Sequence, residues 1–190
     1  RKRGKLHELN RLLRGADDTT FMPIGGRPPQ VPPDVRYVIT LDADTRLPRD
    51  AAHCLIGKMA HPLNRPRFSD AEQRVVDGYG ILQPRVTPSL PVGREGSFYQ
   101  RVFSAPGGID PYAAAASDVY QDLFGEGTYT GKGIYDVRAF HASVDGRVPE
   151  NRILSHDLFE GALGRAALAK TDSDISLFRL DSDNNVATRV

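Results

Sequence analysis

The sequence predicts an α/β fold, and three observations predict it. Segments with helical apolar spacing alternate with short β-branched apolar runs, the pattern of strands and helices packed in layers. The apolar fraction, counted with Gly and without Tyr, is about 45%, ordinary for a globular chain. The length, 190 residues, suits one domain, or one domain plus an appendage, with a sizeable core, and the ordinary apolar fraction excludes collagen, coiled coil and wholesale disorder. The 18 Gly and 14 Pro, about 17% against a usual 12%, add an expectation of many loops and short elements.

Each element has a local reason. Leu6, Leu9, Leu12 and Leu13 recur at helical spacing among cationic residues, so residues 5–14 read as a helix ended by Gly15. Residues 23–34 carry five prolines and two glycines and read as an extended loop. The run from Val35 to Leu41 is β-branched and mostly apolar, which predicts a parallel strand buried on both faces. Ala51, Ala52, Leu55, Ile56 and Met59 predict a helix. One strand is expected from Val75 to Val86, and helices at 95–103 and 110–124, the latter with Asp110 as N-cap and Pro111 at its first turn. The Gly125-Glu126-Gly127 run ends it, and a β-prone segment from Thr128 to Tyr135 is interrupted by Gly131-Lys132-Gly133. Ser155 is expected to cap a last helix with Leu158, Phe159, Ala162, Leu163 and Ala166 on its apolar face.

Charge and cysteine content narrow the function. With 25 Lys+Arg against 24 Asp+Glu the net charge is +1, which argues against a dedicated nucleic-acid binder. The balance is uneven: Arg1, Lys2, Arg3, Lys5, Arg11 and Arg14 against Glu8 give residues 1–14 a net of +5. Cys54 is alone, so no internal disulfide can form and a reducing compartment is expected. No apolar run reaches the ~18 residues of a membrane helix. The basic start, with neither Met nor an apolar stretch behind it, is not a signal peptide and reads as the interior of a longer chain.

Four features could carry chemistry. Asp42 and Asp44, two apart at a strand end, are oxygen ligands suited to Mg²⁺ or Mn²⁺. Chance alone gives about two D-x-D triplets in such a composition, and the chain has three, at 42/44, 172/174 and 181/183. Only the first follows a predicted strand, where open α/β sheets place ligands. The alternative for it is a solvated turn. Ser155-His156-Asp157 precedes a helix, so Asp157 is either a cap or a general base. Gly131-Lys132-Gly133 permits close backbone approach to a ligand or is a surface turn. The basic first helix could neutralise a diphosphate or be a solvated face. The five histidines show no zinc spacing, and no nucleophile elbow occurs.

The order of these pieces is more specific than any one of them. A basic helix with Lys5 to Asn10, a strand ending Leu41-Asp42-Ala43-Asp44-Thr45, a strand with Gln83-Pro84, a Gly-rich 127–135 segment and Ser155-His156-Asp157 succeed one another. This order resembles the inverting GT-A glycosyltransferases of the cellulose-synthase type. The phrases RKRGKLHELNRLLRG, YVITLDADTRLPRDAA, GYGILQPRVTPSLP, SDVYQDLFGEGTYTGKGIYDV and VPENRILSHDLFEG further resemble the glycosyltransferase domain of bacterial cyclic β-1,2-glucan synthases, from Arg1 to about Lys170.

That resemblance implies a GT-A-like, Rossmann-like sheet, mixed but mostly parallel, flanked by helices and incomplete at both ends. Residues 1–170 would be a partial glycosyltransferase domain and 171–190 a divergent tail. It implies UDP-glucose as donor, a growing β-1,2-glucan as acceptor through its 2-hydroxyl, and Asp42 and Asp44 holding the diphosphate through Mg²⁺ or Mn²⁺. Asp157 would be the general base, with Ser-His in place of the more usual Thr-Glu before it. Lys5 and Asn10 would contact the donor nucleotide, Gly131, Lys132 and Gly133 would lie beside the transferred sugar, and His156 would adjoin the base. The implied setting is the cytoplasmic face of the inner membrane, within the remainder of a larger membrane-embedded synthase. Rival readings are a sugar-nucleotide or glycan binding module without turnover, and a haloacid-dehalogenase-like phosphatase built on the Asp42-Ala43-Asp44 loop.

Overall fold

The computed structural model describes residues 2–27, 29–42, 45, 47–85, 119–147 and 155–169. Asp44, the helix expected at 95–103, the 110–118 part of the next one and the tail 171–190 lie outside the described residues.

Helix α1 spans Lys2–Leu13, strand β1 Tyr37–Thr40 and helix α2 Ala51–Ala60, each near its expected place, and a 3₁₀ turn occupies Pro62–Asn64. Strands β2 (Arg67–Ser69) and β3 (Arg74–Asp77) form a small antiparallel hairpin, and β4 is Ile81–Pro84. Helix α3 (Val119–Phe124), strand β5 (Gly133–Asp136), helix α4 (Val137–Val144), helix α5 (His156–Gly164) and strand β6 (Ala166–Ala169) complete the described elements.

The main sheet has four described strands in the order β1-β5-β4-β6. Strand β5 runs antiparallel to both β1 and β4, and only β4 and β6 are parallel. The mostly parallel sheet expected from the sequence is therefore corrected to a mostly antiparallel one. The reason lies in what a continuous apolar run reports. Tyr37 and Ile39 of β1 pack toward α2, while Val38 packs on the opposite side with α4. Such a run signals helices on both faces, and strand direction leaves no trace in it. β1 is also only partly buried along most of its length.

Alternation along the strands builds two cores. Ile81, Tyr135 and Ala166 face one way with Val137, Phe140 and Val144 of α4. Their neighbours Leu82, Ile134 and Ala167 face the other way, onto Leu55 and Met59 of α2. This is the period-two consequence of a pleated strand. The sheet is thus the middle of three layers.

Four local expectations are corrected. The strand from Val75 to Val86 is two, because Gly78 turns the chain at φ +63° and Gly80 N–H donates to the Gly164 carbonyl at 2.9 Å. The 128–135 segment becomes a strand only at Gly133, since Gly131 (φ +77°) turns the chain out of the extended region just before it. Helix α5 stops at Gly164, where Arg165 turns left-handed (φ 52°), so Ala166 begins a strand instead of closing a helix face. Its buried residues are Glu160, Gly161 and Gly164, while Leu158 is 60% exposed. Ser155 is the N-cap residue of α5, but its side chain makes no capping hydrogen bond.

Candidate functional site

The site grows from contacts that fix three chain segments against one another. At the end of β1, the Thr40 hydroxyl reaches the carbonyls of Gly131 (3.3 Å) and Gly133 (3.4 Å). From β4, the buried Gln83 side chain accepts from the Thr130 N–H at 2.6 Å and from its hydroxyl at 3.1 Å. The Gly-rich loop is thereby held at both margins, above the strand ends. A glycine is favoured at 131 because its φ is left-handed, and a Cβ there would come within 3.0 Å of Asp157 Oδ2. The loop backbone and the Asp157 carboxylate are therefore close neighbours.

These segments enclose a cavity of about 430 Å³. Asn10 of α1, Asp42, Gly131, Lys132, His156 and Asp157 all line it, so six sequence-predicted residues from four distant segments come together. Inside it, Lys132 Nζ lies 2.7 Å from Asp42 Oδ2. The ammonium is mostly buried and the carboxylate about one-third exposed, so the pair is presented to the cavity with part of its charge in contact with solvent.

Two predicted residues stand apart. Lys5 is exposed on α1 and is not among the cavity-lining residues. Gly133 lies in the sheet, where a Cβ would collide with the Leu82 carbonyl of β4. Asn10 reaches the cavity but is only 2% exposed, and its Oδ1 accepts from the Tyr135 hydroxyl at 2.8 Å. Burial pushes the Tyr135 hydroxyl up to about 12, with the Asn10 hydrogen bond opposing the rise.

The cavity also holds residues that sequence reasoning missed. Arg3 Nε donates to Glu160 Oε1 at 2.9 Å, joining the first turn of α1 to the middle of α5 across 157 positions. Burial pushes the Glu160 carboxyl above its ordinary value, and the Arg3 hydrogen bond pulls against that. Tyr129 is buried, and desolvation raises its hydroxyl. Nothing in the linear sequence pairs Arg3 with Glu160. Tyr129 does carry a local signal, since it adjoins the glycine loop.

Chemically, the cavity offers a partly exposed carboxylate beside an ammonium, a second carboxylate beside a glycine loop, and a part-buried Arg–carboxylate pair. Among the described residues, no group of three or more His, Cys, Asp or Glu side chains is placed to hold a metal ion. The second Asp of the proposed metal pair, Asp44, lies outside those residues.

No protein-family model matches the chain. A curated protein does: over 177 residues, 93% of its length, the chain is 56% identical to the cyclic beta-(1,2)-glucan synthase NdvB of Rhizobium meliloti (strain 1021). The chain is similar to a segment of a glucan synthase. It spans 6% of the length of that synthase, so the match concerns one small part of a much longer protein. The likeness to cyclic glucan synthases read from the motif order is thus met by a match along almost the whole chain. No helix among the described residues is long and apolar enough to cross a membrane.

Proposed function

We propose that this chain is the donor-and-base segment of a glucosyltransferase, moving glucose from UDP-glucose to the 2-hydroxyl of a β-1,2-glucan. The observation that carries the reading is the cavity into which Asp42, Lys132 and Asp157 converge, in a chain 56% identical to a glucan synthase segment. Fold-level likeness to GT-A enzymes is part of this proposal and rests on the motif order.

The chemistry is governed by charge. The transition state of glycosyl transfer is oxocarbenium-like, and negative charge gathers on the departing diphosphate. Lys132 supplies a cation at that end of the cavity, and the Asp42 carboxylate 2.7 Å away holds it in place. Asp157, beside the Gly131 backbone, takes the proton of the attacking hydroxyl. A direct displacement of this kind inverts the α-linked donor to a β-linked product. The Asp42 carboxylate has the oxygen chemistry of a hard divalent cation, with Asp44 as the further ligand, and Mg²⁺ or Mn²⁺ bound there would offset charge on the leaving diphosphate. A cation held there would share the Asp42 carboxylate with Lys132.

Calorimetric titration of UDP-glucose, with and without Mn²⁺, and a radiolabelled transfer assay test the reading. Asp157→Asn should keep donor binding within about threefold and lower transfer at least ~100-fold, the range of a lost general base. Lys132→Gln should weaken donor binding instead. Donor binding that ignores both Lys132→Gln and Asp42→Asn would sink the assignment, and binding without any transfer would leave a sugar-nucleotide binding module.

A further inference from the structure

A second pocket, of about 690 Å³, opens at the other end of the β1–β5 ladder. In that ladder Thr40 pairs with Gly133 near the first cavity, and Tyr37 pairs with Asp136 at the second. Three residues of extended strand separate the two ends by about 10 Å. The second pocket is therefore a different place on the molecule, and its chemistry is independent of the glucosyltransfer reading.

Four arginines reach this pocket from four parts of the chain. Arg14 follows α1, Arg36 precedes β1, Arg65 follows the 3₁₀ turn and Arg138 lies in the first turn of α4. Two carboxylates, Asp34 and Asp136, share the lining. Asp136 is already committed. Its Oδ1 accepts from the backbone N–H groups of Arg138 (3.0 Å) and Ala139 (3.1 Å), and its Oδ2 from Arg36 Nε at 3.4 Å. Arg36 is further oriented by its guanidinium standing 5.0 Å from the centre of the Tyr37 ring. Among the described residues, no carboxylate makes an ion pair with Arg14, Arg65 or Arg138.

Convergent guanidiniums repel one another, and the backbone that gathers them leaves a concave, positively charged surface. We propose that this pocket binds a group bearing an anionic phosphate. Guanidinium is the matching chemistry, because its planar fork donates two parallel hydrogen bonds to phosphate oxygens. The volume lies within the usual range of small-molecule sites and exceeds what a lone phosphate fills, so the phosphate comes attached to something larger. A diphosphate in solution and the headgroup of an anionic phospholipid share this chemistry.

The test is made on the whole 190-residue chain with two probes, inorganic pyrophosphate by titration calorimetry and phosphatidylglycerol vesicles by co-sedimentation, with phosphatidylcholine vesicles as control. The double variant Arg65→Gln/Arg138→Gln changes two exposed side chains, and its circular dichroism melt reports whether it folds. The expected result is at least a roughly tenfold loss of affinity in the double variant and a fall in affinity between about 50 and 200 mM NaCl, as screening requires. Loss of pyrophosphate binding marks the soluble source, and loss of phosphatidylglycerol binding alone marks the lipid. If the double variant fails to fold, Arg65→Gln alone should weaken the same probe about threefold. Binding of both probes unchanged by the arginine substitutions, or pyrophosphate binding lost only in Lys132→Gln, overturns the proposal.

Discussion

Glu160 is the residue whose environment most departs from what its chemistry prefers. It is 7% exposed, one helical turn from Asp157, and accepts a hydrogen bond from Arg3. Burial disfavours the carboxylate more than the guanidinium favours it, so the folded carboxyl holds its proton more tightly than the 4.5 of the unfolded chain. The unfolded state therefore releases this proton first as pH rises, and the stability that protonated Glu160 contributes is lost above 4.5 through the raised folded value. Glu160→Gln keeps an oxygen to accept from Arg3 and abolishes the titration. The stability of Glu160→Gln relative to the parent should be flat below about pH 4.5 and increase as pH rises through that window, read as urea midpoints from about pH 3.5 to 8. A difference that stays constant, or shrinks with rising pH, would show that burial does not govern this carboxyl.

At the scale of elements, glycine placement decides how closely α5 approaches the rest of the site. A Cβ at Gly161 would lie 2.8 Å from the Tyr129 Cβ, closer than side chains tolerate, in a helix whose Asp157 belongs to the cavity. Gly57 in α2 has nothing within 4 Å. In an open helix interior Gly→Ala gains about 1 kcal/mol of propensity, whereas overpacking costs about 1–3 kcal/mol. Gly57→Ala should therefore stabilise by about 1 kcal/mol and Gly161→Ala destabilise by about 1, opposite signs from one chemical change, measured by urea denaturation. Equal signs would mean that α5 shifts freely away from Tyr129. The same scale explains what was legible in the sequence. Helices α1 and α2 are readable because their leucines and alanines keep a 3.6 period. Strand β6 is not, since Ala166 to Ala169 are poor strand formers and adopt extended structure only by pairing in parallel with Ile81 to Pro84. Helix α4 carries a readable signal, Asp136 capping an apolar spacing at Val137, Phe140 and Val144. In the site, Asp42, Lys132 and Asp157 are legible because each stands in a recognisable phrase. Arg3 and Glu160 are not, because only the packing of α1 against the α4–α5 layer brings them together.

For the whole molecule, the question is whether the two faces of the sheet act as one cooperative unit beneath the two pockets. Ile134 belongs to the core under α2, and Val144 to the core under α4 and α5. Ile134→Val should cost about 1 kcal/mol and Val144→Ala about 2, from lost burial and the residual cavity. Together they leave a domain of ordinary stability, about 5–15 kcal/mol, still folded. The two side chains lie in separate clusters across the sheet, so the double variant should lose the sum of the two single costs within about 0.5 kcal/mol. Tyrosine fluorescence, available because the chain has 7 Tyr and no Trp, and far-ultraviolet circular dichroism should trace the same urea transition in all three variants. Tyrosines stand on both sides, Tyr135 with α4 and Tyr37 and Tyr79 with α2, so a sheet that melts in two stages would give a biphasic fluorescence transition. A coupling well above about 0.5 kcal/mol, with coincident transitions, would mean instead that the four short strands relay packing changes from one face to the other. The glycine loop above β5 would then respond to substitutions made beneath α2.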